Sequence, residues 1–413
     1  MDIFSVILAG ISDGDEKWSG RSSTVYPLCG EPLIQYVLNA VTPVCRKNLV
    51  VCAQAVDKPL FDAMSVPAVL CEGPSIQAVL PYIKGKNGKA LIVRGDMPCV
   101  ASHTYQALCD ALEGSCQATI LQSPQGDQGN AGAICLEYDL LVSLLNESTC
   151  SNLEDIAQHL MKKGANLCSV WMANAVEGTV VKTRRDYAYA FAYMQNAIRE
   201  MHMTKGVTIL DPASTYIEAD VEIGYDTIIY PGCYLQKGTR IGRNCTLLPN
   251  CRLNKAVVED DVTIENSVLL ECHVGKGTTV GPFAYLRPMS NIGQKCRIGD
   301  FVEIKNSTIG NETKVSHLTY VGDSDLGQNI NLGCGVVFVN YDGKKKHRSI
   351  VEDDAFIGCN TNLVSPVHIG KEAYIAAGST ITEDVPDGAL FVARAKGVIK
   401  EGWVEKRKES GKL

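Results

Sequence analysis

The sequence lacks a long apolar run, an excess of basic charge and a metal-binding cysteine pattern. No stretch approaches the ~20 consecutive apolar residues of a membrane-spanning helix, and no basic residues precede the apolar start MDIFSVILAG. This start therefore predicts a first β-strand rather than a secretion signal. The net charge of −7 argues against a nucleic-acid-binding face, because phosphate binding along a duplex requires many basic side chains. We expect a cytoplasmic protein without membrane insertion and without a nucleic-acid partner.

Cysteine is abundant, but its spacing does not suggest zinc sites. The 17 cysteines include no CxxC pair and no zinc-like combination with histidine. Most fall inside apolar stretches, as Cys52, Cys135 and Cys168 do, which predicts reduced and buried thiols rather than a disulfide framework. A chain of 413 residues is also too long for one ordinary hydrophobic core, so we expect at least two domains.

Residues 1–184 alternate short apolar runs with helical patterns, which predicts a first domain. The runs that predict strands are Ile3–Ala9, Leu49–Ala53, Ala68–Cys71, Leu91–Arg94, Ala118–Leu121 and Ala133–Leu136. The patterns that predict helices are Pro32–Val41, Ser102–Leu112 and Asn152–Lys162. This alternation predicts a largely parallel, Rossmann-like α/β sheet that is covered on both faces. Ligands of such sheets bind beyond the carboxyl ends of the strands, here after the first strand and at the turn Gly95–Pro98.

Residues 185–205 have the pattern of a helix that links two domains. Apolar side chains recur there at spacings of three and four, which places them on one helical face. They are Tyr187, Phe191, Met194, Ile198 and Met201. The pair Lys205–Gly206 then provides a plausible helix end.

Residues 206–392 repeat with a period of six. One aliphatic residue recurs at every sixth position in three runs: Ile217, Ile223, Ile229, Leu235, Ile241, Leu247 and Leu253; Val274, Val280, Leu286, Ile292, Ile298 and Ile304; and Val351, Ile357, Leu363, Ile369, Ile375 and Ile381. This period fits neither an α-helix nor a flat sheet, and it predicts a parallel β-helix with ~18 residues per coil. The polar segment 340–348 breaks the period and predicts an external loop, and residues 393–413 form a non-repeating tail.

The repeats resemble the left-handed parallel β-helix of hexapeptide-repeat acyltransferases. A more specific resemblance depends on seven segments: GPFAYLRP, FVEIKNS, HLTYVGD, NINLG, NYDG with a lysine three residues later, IAAGSTIT and EGW. Together they are similar to the acetyltransferase domain of the bifunctional N-acetylglucosamine-1-phosphate uridyltransferase/glucosamine-1-phosphate acetyltransferase family. The similarity runs without gaps from Gly281 to at least Arg394.

The resemblance assigns roles to individual residues. It implies that His317 is the catalytic base, that Arg287, Lys305, Tyr320, Asn331 and Lys346 bind the sugar phosphate, and that Cys334, Asn340, Tyr341, Cys359, Ala377 and Arg394 bind acetyl-CoA. Cys334 and Cys359 stand where the typical bacterial enzyme has alanine and serine. The contact at Cys334 involves the backbone and should persist, whereas Cys359 lacks one hydroxyl hydrogen bond, worth ~1 kcal/mol.

These residue types also suit acetyl transfer to an amine on chemical grounds. The amine must lose a proton, and histidine, with an ordinary pKa of about 6.5, can accept it near neutral pH. An arginine with two lysines suits a sugar phosphate, and backbone N–H groups around Gly333–Gly335 could stabilise the oxyanion. The acetyl transfer requires no metal. His347 and His368 lack comparable surroundings, so we expect them to be surface or loop residues.

The first domain resembles the nucleotidyltransferase half of the same family, with an altered phosphate loop. VILAG and PLCGEPL match the family, but the loop reads LAGISDGDEKWSGRSSTVYPL, with Glu16 in place of an arginine and Ser23 in place of a lysine. Asp13, Asp15 and Glu16 would each repel a triphosphate by roughly 1 kcal/mol or more.

Two further motifs of that half are also changed. The uracil and phosphate segment reads CEGPSIQ from Cys71. Of the two magnesium ligands, Asp96 remains, whereas Val180 stands in the asparagine position, and one carboxylate alone holds Mg²⁺ weakly. Magnesium is expected only if this domain is active.

Together these observations predict an enzyme that acetylates glucosamine-1-phosphate with acetyl-CoA. The resemblance implies a homotrimer in which Asn340, Lys346 and Arg394 complete the site of a neighbouring subunit. We expect the first domain to have lost uridyl transfer. One alternative is transfer of another nucleotide with relocated cations such as Lys17 or Arg21. Others are a bifunctional enzyme that also makes UDP-N-acetylglucosamine, an acetyltransferase for a different amino sugar phosphate, and a purely structural or regulatory protein.

Overall fold

The computed structural model describes the chain except for residues 1–2, 10–17, 19–20, 46, 53–54, 65–66, 71–75, 125–131, 148–149, 151 and 413. The chain divides into two units, Met1–Glu200 and Met201–Leu413. The predicted fold class is confirmed, since an α/β unit is followed by a parallel β-helix. Within the described ranges, no helix is both long and apolar enough to cross a membrane.

The first unit consists of short strands and helices in alternation. The strands are β1 Ile3–Ala9, β2 Pro27–Leu28, β3 Glu31–Pro32, β4 Lys47–Cys52, β5 Ala68–Leu70, β6 Lys89–Arg94, β7 Ala118–Gln122, β8 Ala133–Glu137 and β9 Leu167–Trp171. The helices are α1 Leu33–Val41, α2 Lys58–Ala63, α3 Leu80–Ile83, α4 Ser102–Asp110, α5 Tyr138–Glu147 and α6 Leu153–Lys162, and the following helix, α7, is Arg184–Thr204. Short 3₁₀ turns form at Ser23–Val25 and Ile76–Val79. The sequence patterns did not predict β2, β3, β9, α2, α3 or α5.

Seven strands form one mixed sheet in the order β5-β4-β1-β6-β8-β7-β9. Four of its pairings are parallel, as predicted, but β8 runs antiparallel to both of its neighbours. The segment that connects β7 to β8, residues 123–132, is shorter than the dozen or so residues that a parallel crossover needs. This short connection explains why β8 runs antiparallel. Alternate residues of β1 enter two cores, with Val6 and Leu8 packing on one face and Ile7 and Ala9 on the other.

One cysteine prediction was wrong. Cys168 in β9 forms a disulfide with Cys116, which lies two residues before the first residue of β7. β7 and β9 pair in parallel with Ala118 opposite Leu167, and this register brings the two cysteines to a Cα separation of 6.1 Å. Among the free cysteines whose burial the structure describes, Cys334 and Cys359 are exposed and the others are buried.

The second unit is built mostly from strands of two or three residues, with two longer strands of nine residues, β25 and β27. They are β10 Thr208–Ile209, β11 Tyr216–Ile217, β12 Glu222–Ile223, β13 Ile228–Ile229, β14 Tyr234–Leu235, β15 Arg240–Ile241, β16 Thr246–Leu247, β17 Arg252–Asn254, β18 Val257–Val258, β19 Thr263–Ile264, β20 Val268–Leu270, β21 His273–Val274, β22 Thr279–Val280, β23 Tyr285–Leu286, β24 Asn291–Ile292, β25 Arg297–Lys305, β26 Thr308–Ile309, β27 Lys314–Gly322, β28 Ser324–Leu326, β29 Asn331–Leu332, β30 Val337–Val339, β31 Ser349–Val351, β32 Phe356–Ile357, β33 Asn362–Val364, β34 His368–Ile369, β35 Tyr374–Ile375, β36 Thr380–Ile381 and β37 Leu390–Phe391. A 3₁₀ turn, Pro212–Ser214, lies near the start and a short helix, α8 Trp403–Glu409, lies in the tail.

Each strand pairs in parallel with the strand one coil later, and every aliphatic residue of the three hexad runs is buried, as predicted. The interruption of the period after Leu253 has a simple cause, because Arg252 pairs with Val268 and the coil shortens there from 18 to 16 residues. Ser324 pairs with Ser349, so the coil that contains segment 340–348 is longer, at 25 residues. This segment is the predicted external loop.

The loop is held together around one carboxylate. Asp342 accepts hydrogen bonds from the backbone of Lys344 at 2.7 Å and of Lys345 at 2.6 Å, and it contacts His347 Nε2 at 2.7 Å. The bond from Lys345 is the largest of several that lower the pKa of Asp342 to about 2. The backbone of His347 also donates to Asn340. These bonds give Lys346 a defined position.

Candidate active site

Two long neighbouring strands fix the position of the predicted base. β25 and β27 pair in parallel, and their register places Asp300 opposite His317. Gly299 cannot carry a side chain, because a Cβ there would overlap the carbonyl oxygen of Ser316 in the next coil. Leu318, next to His317, adopts a φ of +38°, a left-handed conformation in which side-chain-bearing residues are uncommon. The side chain of His317 is 56% exposed and does not enter the apolar interior.

His317 has a carboxylate partner that sequence reasoning missed. Its Nδ1 lies 2.6 Å from Asp300 Oδ1, and this hydrogen bond is the main reason that the pKa of Asp300 is lowered. An ionised Asp300 only accepts hydrogen bonds, so Nδ1 carries the proton and Nε2 keeps its lone pair. The pair therefore orients the ring and leaves Nε2 available as a base. The signal was present in the sequence as an aspartate one coil, 17 residues, before the histidine.

The predicted acetyl-CoA residues continue the column in which His317 lies. Bonds between successive coils define it: Gly335 N donates to Leu318 O, Asn360 N to Cys334 O, and Gly378 N to Cys359 O. His317, Cys334, Cys359 and Ala377 therefore occupy matching positions on four consecutive coils. At ~4.8 Å per coil, Ala377 lies roughly 14 Å along the prism from His317. Arg394 Nη1 donates to Ala377 O at 2.5 Å and marks the far end.

A second cluster surrounds the carboxylate of Asp323, which is largely buried. Lys305 Nζ lies 3.7 Å from Asp323 Oδ2, and Asn340 Nδ2 donates to the same oxygen at 2.5 Å. Asn340 Nδ2 also lies 3.4 Å from the Tyr320 hydroxyl. Burial raises the pKa of Asp323, but the hydrogen bond from Asn306, the charge of Lys305 and the bond from Asn340 together lower it. Asp323 is therefore the fixed anion that holds Lys305 and Asn340 in place.

The cluster contains more positive charge than Asp323 can neutralise. Lys346 reaches Lys305, and the contact and repulsion between the two ammonium groups lower the pKa of Lys346. Two adjacent cations with one carboxylate leave a net positive charge, which an incoming phosphate would neutralise. Within one chain, Lys346 and Asn340 already lie beside Lys305 and Tyr320. The expectation that these two residues complete a neighbouring subunit's site stays a prediction.

Arg287 is less free than the sequence suggested. Its Nη1 donates to Glu303 Oε1 at 2.8 Å, and this bond is the main cause of the raised pKa of Arg287. Glu303 lies opposite Tyr320 in the β25–β27 register, so the pair borders the Lys305 cluster. Both side chains are more than one-third exposed, and exposed ion pairs of this kind contribute only about 0–1 kcal/mol. A phosphate can therefore compete with Glu303 for the guanidinium.

Two predicted residues lie apart from this cluster within one chain. Asn331 pairs with Lys314 at the start of β27, whereas Tyr320 near the end of β27 pairs with Val337. Tyr341 is 57% exposed, and its hydroxyl donates to Gly343 O at 2.7 Å within the loop.

The predicted oxyanion donors require a correction. Gly333 N already donates to Ile357 O at 2.8 Å, and Gly335 N donates to Leu318 O at 3.0 Å. Neither N–H is available, because both form the bonds that join successive coils. Cys334 N has no backbone acceptor among the residues that the structure describes, and it lies one coil from His317. It is the donor of this segment that remains for an oxyanion.

In the first unit, the residue predicted to bind magnesium forms a buried ion pair. Arg94 Nε and Nη2 lie 2.9 Å from the two carboxylate oxygens of Asp96, and Arg94 Nη1 lies 3.3 Å from Glu154. Val181 N donates to the backbone carbonyl of Asp96 at 2.9 Å, so Val180 comes near but offers an apolar side chain. Among the described residues, no three His, Cys, Asp or Glu side chains converge as a metal site. This donor set does not fit Mg²⁺.

Most of the altered phosphate loop falls in a gap of the described ranges. Asp13, Asp15, Glu16 and Lys17 lie outside the described residues, as do the first five residues of CEGPSIQ. Arg21 is exposed, and Ser23 is buried in a 3₁₀ turn.

The described part of the loop packs against aromatic residues. Trp18 is buried and contacts Tyr26 edge to face, and the guanidinium of Arg184 lies 4.0 Å from the centre of the Trp18 ring. Trp18 also donates from its indole nitrogen to Lys182 O at 3.3 Å. These contacts anchor the loop to the segment that leads into α7.

Two family models agree with the two-part architecture. A family model described as a MobA-like NTP transferase domain matches residues 13–167, and a bacterial transferase hexapeptide model (six repeats) matches residues 348–383. A solved nucleotidyl transferase from Methanothermobacter thermautotroptrophicus aligns with a TM-score of 0.41 and 19% identity, covering 47% of this chain and 99% of that one.

Curated relatives match over almost the whole chain. A bifunctional protein GlmU from Clostridium botulinum is 39% identical over an alignment of 450 positions, covering 98% of each chain. Its counterpart from Clostridium perfringens is 39% identical over 454 residues, covering 99% of this chain and all of that one. The protein therefore belongs to the family of the bifunctional protein GlmU, with a nucleotidyltransferase-like domain followed by a hexapeptide-repeat transferase domain.

Proposed function

We propose that the β-helix unit transfers the acetyl group of acetyl-CoA to the amine of glucosamine-1-phosphate. One observation carries this proposal. An exposed histidine, His317, has its Nδ1 held by Asp300 at 2.6 Å, and it lies in one column with the predicted acetyl-CoA residues. The Lys305–Lys346 pair, on the coils before and after that of His317, offers unneutralised positive charge to a phosphate. Family membership supports a transferase.

The chemistry follows from the free nitrogen of His317. Nε2 accepts a proton from the substrate ammonium, and the freed lone pair attacks the thioester carbonyl carbon, forming a C–N bond. Cys334 N–H stabilises the oxyanion that develops on the carbonyl oxygen. The C–S bond then breaks, the protonated His317 gives its proton to the departing thiolate, and the acylated nitrogen releases its second proton to water. Asp300 keeps the ring oriented in both steps, and the products are the N-acetyl sugar phosphate and coenzyme A.

The phosphate cluster indicates the class of substrate but not the sugar. Two lysines around Asp323, with Arg287 beside them, recognise a phosphate group without reading the sugar hydroxyls. Glucosamine-1-phosphate comes from the family resemblance, and another amino sugar phosphate is the second candidate. A purely structural role is disfavoured, because His317 lies in one column with the predicted acetyl-CoA residues.

A thiol-release assay with purified full-length protein tests the proposal. Acetyl-CoA with glucosamine-1-phosphate should release coenzyme A, and His317→Asn should abolish most of that release while the protein remains folded. His368→Asn is a matched control, since His368 also contacts a carboxylate, Glu352, at 2.8 Å on the same prism. A His317→Asn variant with the turnover of the His368→Asn protein would refute the role of His317.

We also propose that the first unit no longer transfers uridylate. Support comes from the ion pair that occupies Asp96 and from the acidic residues Asp13, Asp15 and Glu16 in the loop sequence. The competing possibility is a bifunctional enzyme that also makes UDP-N-acetylglucosamine. Incubation with UTP, Mg²⁺ and N-acetylglucosamine-1-phosphate discriminates between them, because formation of UDP-N-acetylglucosamine at an ordinary enzymatic rate would refute the loss.

Assembly and location complete the proposal. We propose a cytoplasmic homotrimer in which Arg394, at the end of the acetyl-CoA column, reaches a neighbouring subunit's ligand. Light scattering at several protein concentrations measures the assembly, and a stable monomer that retains full acetyl transfer would refute it.

A further inference from the structure

Arg94 lies where a ligand-bound cation is expected in this type of sheet. It is the last residue of β6, the central strand of the sheet, and pairs with Leu8 of β1, so it marks the carboxyl edge of the sheet. Ligands of open α/β sheets bind beyond this edge. In this chain the position is filled by a side chain that carries a permanent positive charge.

The ion pair is buried and saturates the carboxylate. The side chains of Arg94 and Asp96 are only 12% and 8% exposed, and the two parallel bonds of 2.9 Å use both oxygens of Asp96. Glu154, at the start of α6, forms a second ion pair with the guanidinium, through Arg94 Nη1 at 3.3 Å. A divalent cation at Asp96 would have to share these oxygens with Arg94, which brings two cations close together, or displace Arg94 and leave a buried guanidinium without its main partner.

The neighbouring groups offer no replacement ligands among the described residues. Val180 is apolar, and Glu177, the nearby buried carboxylate, already accepts hydrogen bonds from Ala101 N at 3.1 Å, Thr104 Oγ1 at 2.5 Å and Ala173 N at 2.9 Å. Its oxygens therefore hold the start of α4 and the segment after β9. Mg²⁺ keeps several of its waters and is usually held by one or two carboxylates together with substrate phosphates, so one carboxylate that is already shared with a guanidinium is a weak anchor for it.

We infer that Arg94 is an internal cation that takes the place of the divalent metal at Asp96, so that Asp96 supports the fold and binds no ion. This inference deepens the proposed loss of uridyl transfer by naming the residue that blocks the metal. It assigns a structural role to the residue that sequence comparison would place among the metal ligands.

Manganese binding provides the first test, with the full-length wild-type protein and Asp96→Asn. Free Mn²⁺ is measured by electron paramagnetic resonance with metal and protein at equal concentrations. We expect the same free Mn²⁺ signal with both proteins. A larger bound fraction in the wild type, lost in Asp96→Asn, would overturn the inference.

Thermal unfolding provides the second test, followed by tryptophan fluorescence, to which Trp18 and Trp171 of the first unit contribute. Asp96→Asn should lower the melting temperature by about 5 °C or more, because it strands a buried guanidinium. Arg94→Gln should also lower the melting temperature. The double variant should show a smaller decrease in melting temperature than the sum of the decreases in the two single variants. Asp62→Asn, which removes an exposed partner of Lys58, is the control. An Asp96→Asn protein as stable as this control would contradict the inference.

Activity assays separate this inference from the proposed functions. Acetyl transfer takes place in the other unit and should be retained in Arg94→Gln and Asp96→Asn. If the wild type formed a UDP-sugar while Asp96→Asn still bound as much Mn²⁺ as the wild type, the proposed loss of uridyl transfer would fail and the inference would stand. Failure of acetyl transfer in the wild type would bear only on the β-helix proposal.

Discussion

Replacement of Asp300 tests how the histidine works. Asp300→Asn keeps the shape of the side chain and can still accept a hydrogen bond from His317 Nδ1, but the bond loses its charge. Since charge-assisted hydrogen bonds are roughly twice as strong as neutral ones, we expect kcat to fall by about fivefold to tenfold. Asp300→Ala frees the ring to rotate, and we expect kcat of this variant to fall by roughly tenfold to a hundredfold. This fall is no larger than the ~10²–10⁴-fold loss expected when the catalytic base itself is removed.

The separation of kcat from KM makes this prediction specific. Asp300 acts through its hydrogen bond to His317 and is not among the predicted substrate-binding or acetyl-CoA-binding residues, so KM for both substrates should stay within about twofold. The assay is steady-state thiol release with each substrate varied in turn. Glu352→Gln is the control, because it removes the equivalent carboxylate from His368 on the same prism. An Asp300→Ala enzyme with the kcat of this control would refute the reasoning, as would a variant altered only in KM.

Three further predictions concern the phosphate cluster, the acetyl-CoA column and the loop. Lys346→Met should raise KM for the sugar phosphate about tenfold, because it removes one hydrogen-bond donor to the phosphate. Stability should not fall, because the change also removes the repulsion with Lys305. An unchanged KM in steady-state assays would exclude a contact between Lys346 and the phosphate. Cys359→Ser restores a hydroxyl and should lower KM for acetyl-CoA by roughly fivefold, and a KM that is equal to or above that of the wild type would contradict this. The pKa of Asp342 is lowered to about 2, so its stabilisation of the loop is fully present above the unfolded value of about 3.9 and is lost as pH falls through about 2. Asp342→Asn should therefore speed amide hydrogen exchange at Lys344 and Lys345 near neutral pH, and exchange as slow as in the wild type would show that other bonds hold the loop.

Regular features of the fold could be predicted, because they repeat. A residue that is buried once per six positions must point inward on every side of a coil, so the spacing of Ile217 and its successors is enough to predict the β-helix. The six-residue spacing could not predict which residues lie opposite each other where the coil length changes. The pairing of Asp300 with His317 requires a coil of 17 residues instead of 18, and a difference of one residue moves every side chain to a new neighbour.

Contacts that depend on a particular loop or chain direction were not predictable. The meeting of Lys346 with Lys305 depends on the path of segment 340–348, which is set by bonds to Asp342 rather than by the repeat. The antiparallel placement of β8 and the Cys116–Cys168 disulfide both follow from how strands pair across the sheet. The engagement of Gly333 and Gly335 N–H follows from stacking between coils, which sequence similarity alone does not reveal.

The most direct test of the central claim is mass-spectrometric detection of the acetylated sugar phosphate. Full-length protein is incubated with glucosamine-1-phosphate and acetyl-CoA labelled in the acetyl group, alongside the His317→Ala variant. We predict that the wild type places the label on the sugar nitrogen with many turnovers, and that His317→Ala is slower by about 10²–10⁴. No labelled sugar from the wild type, or equal rates from both proteins, would contradict the account.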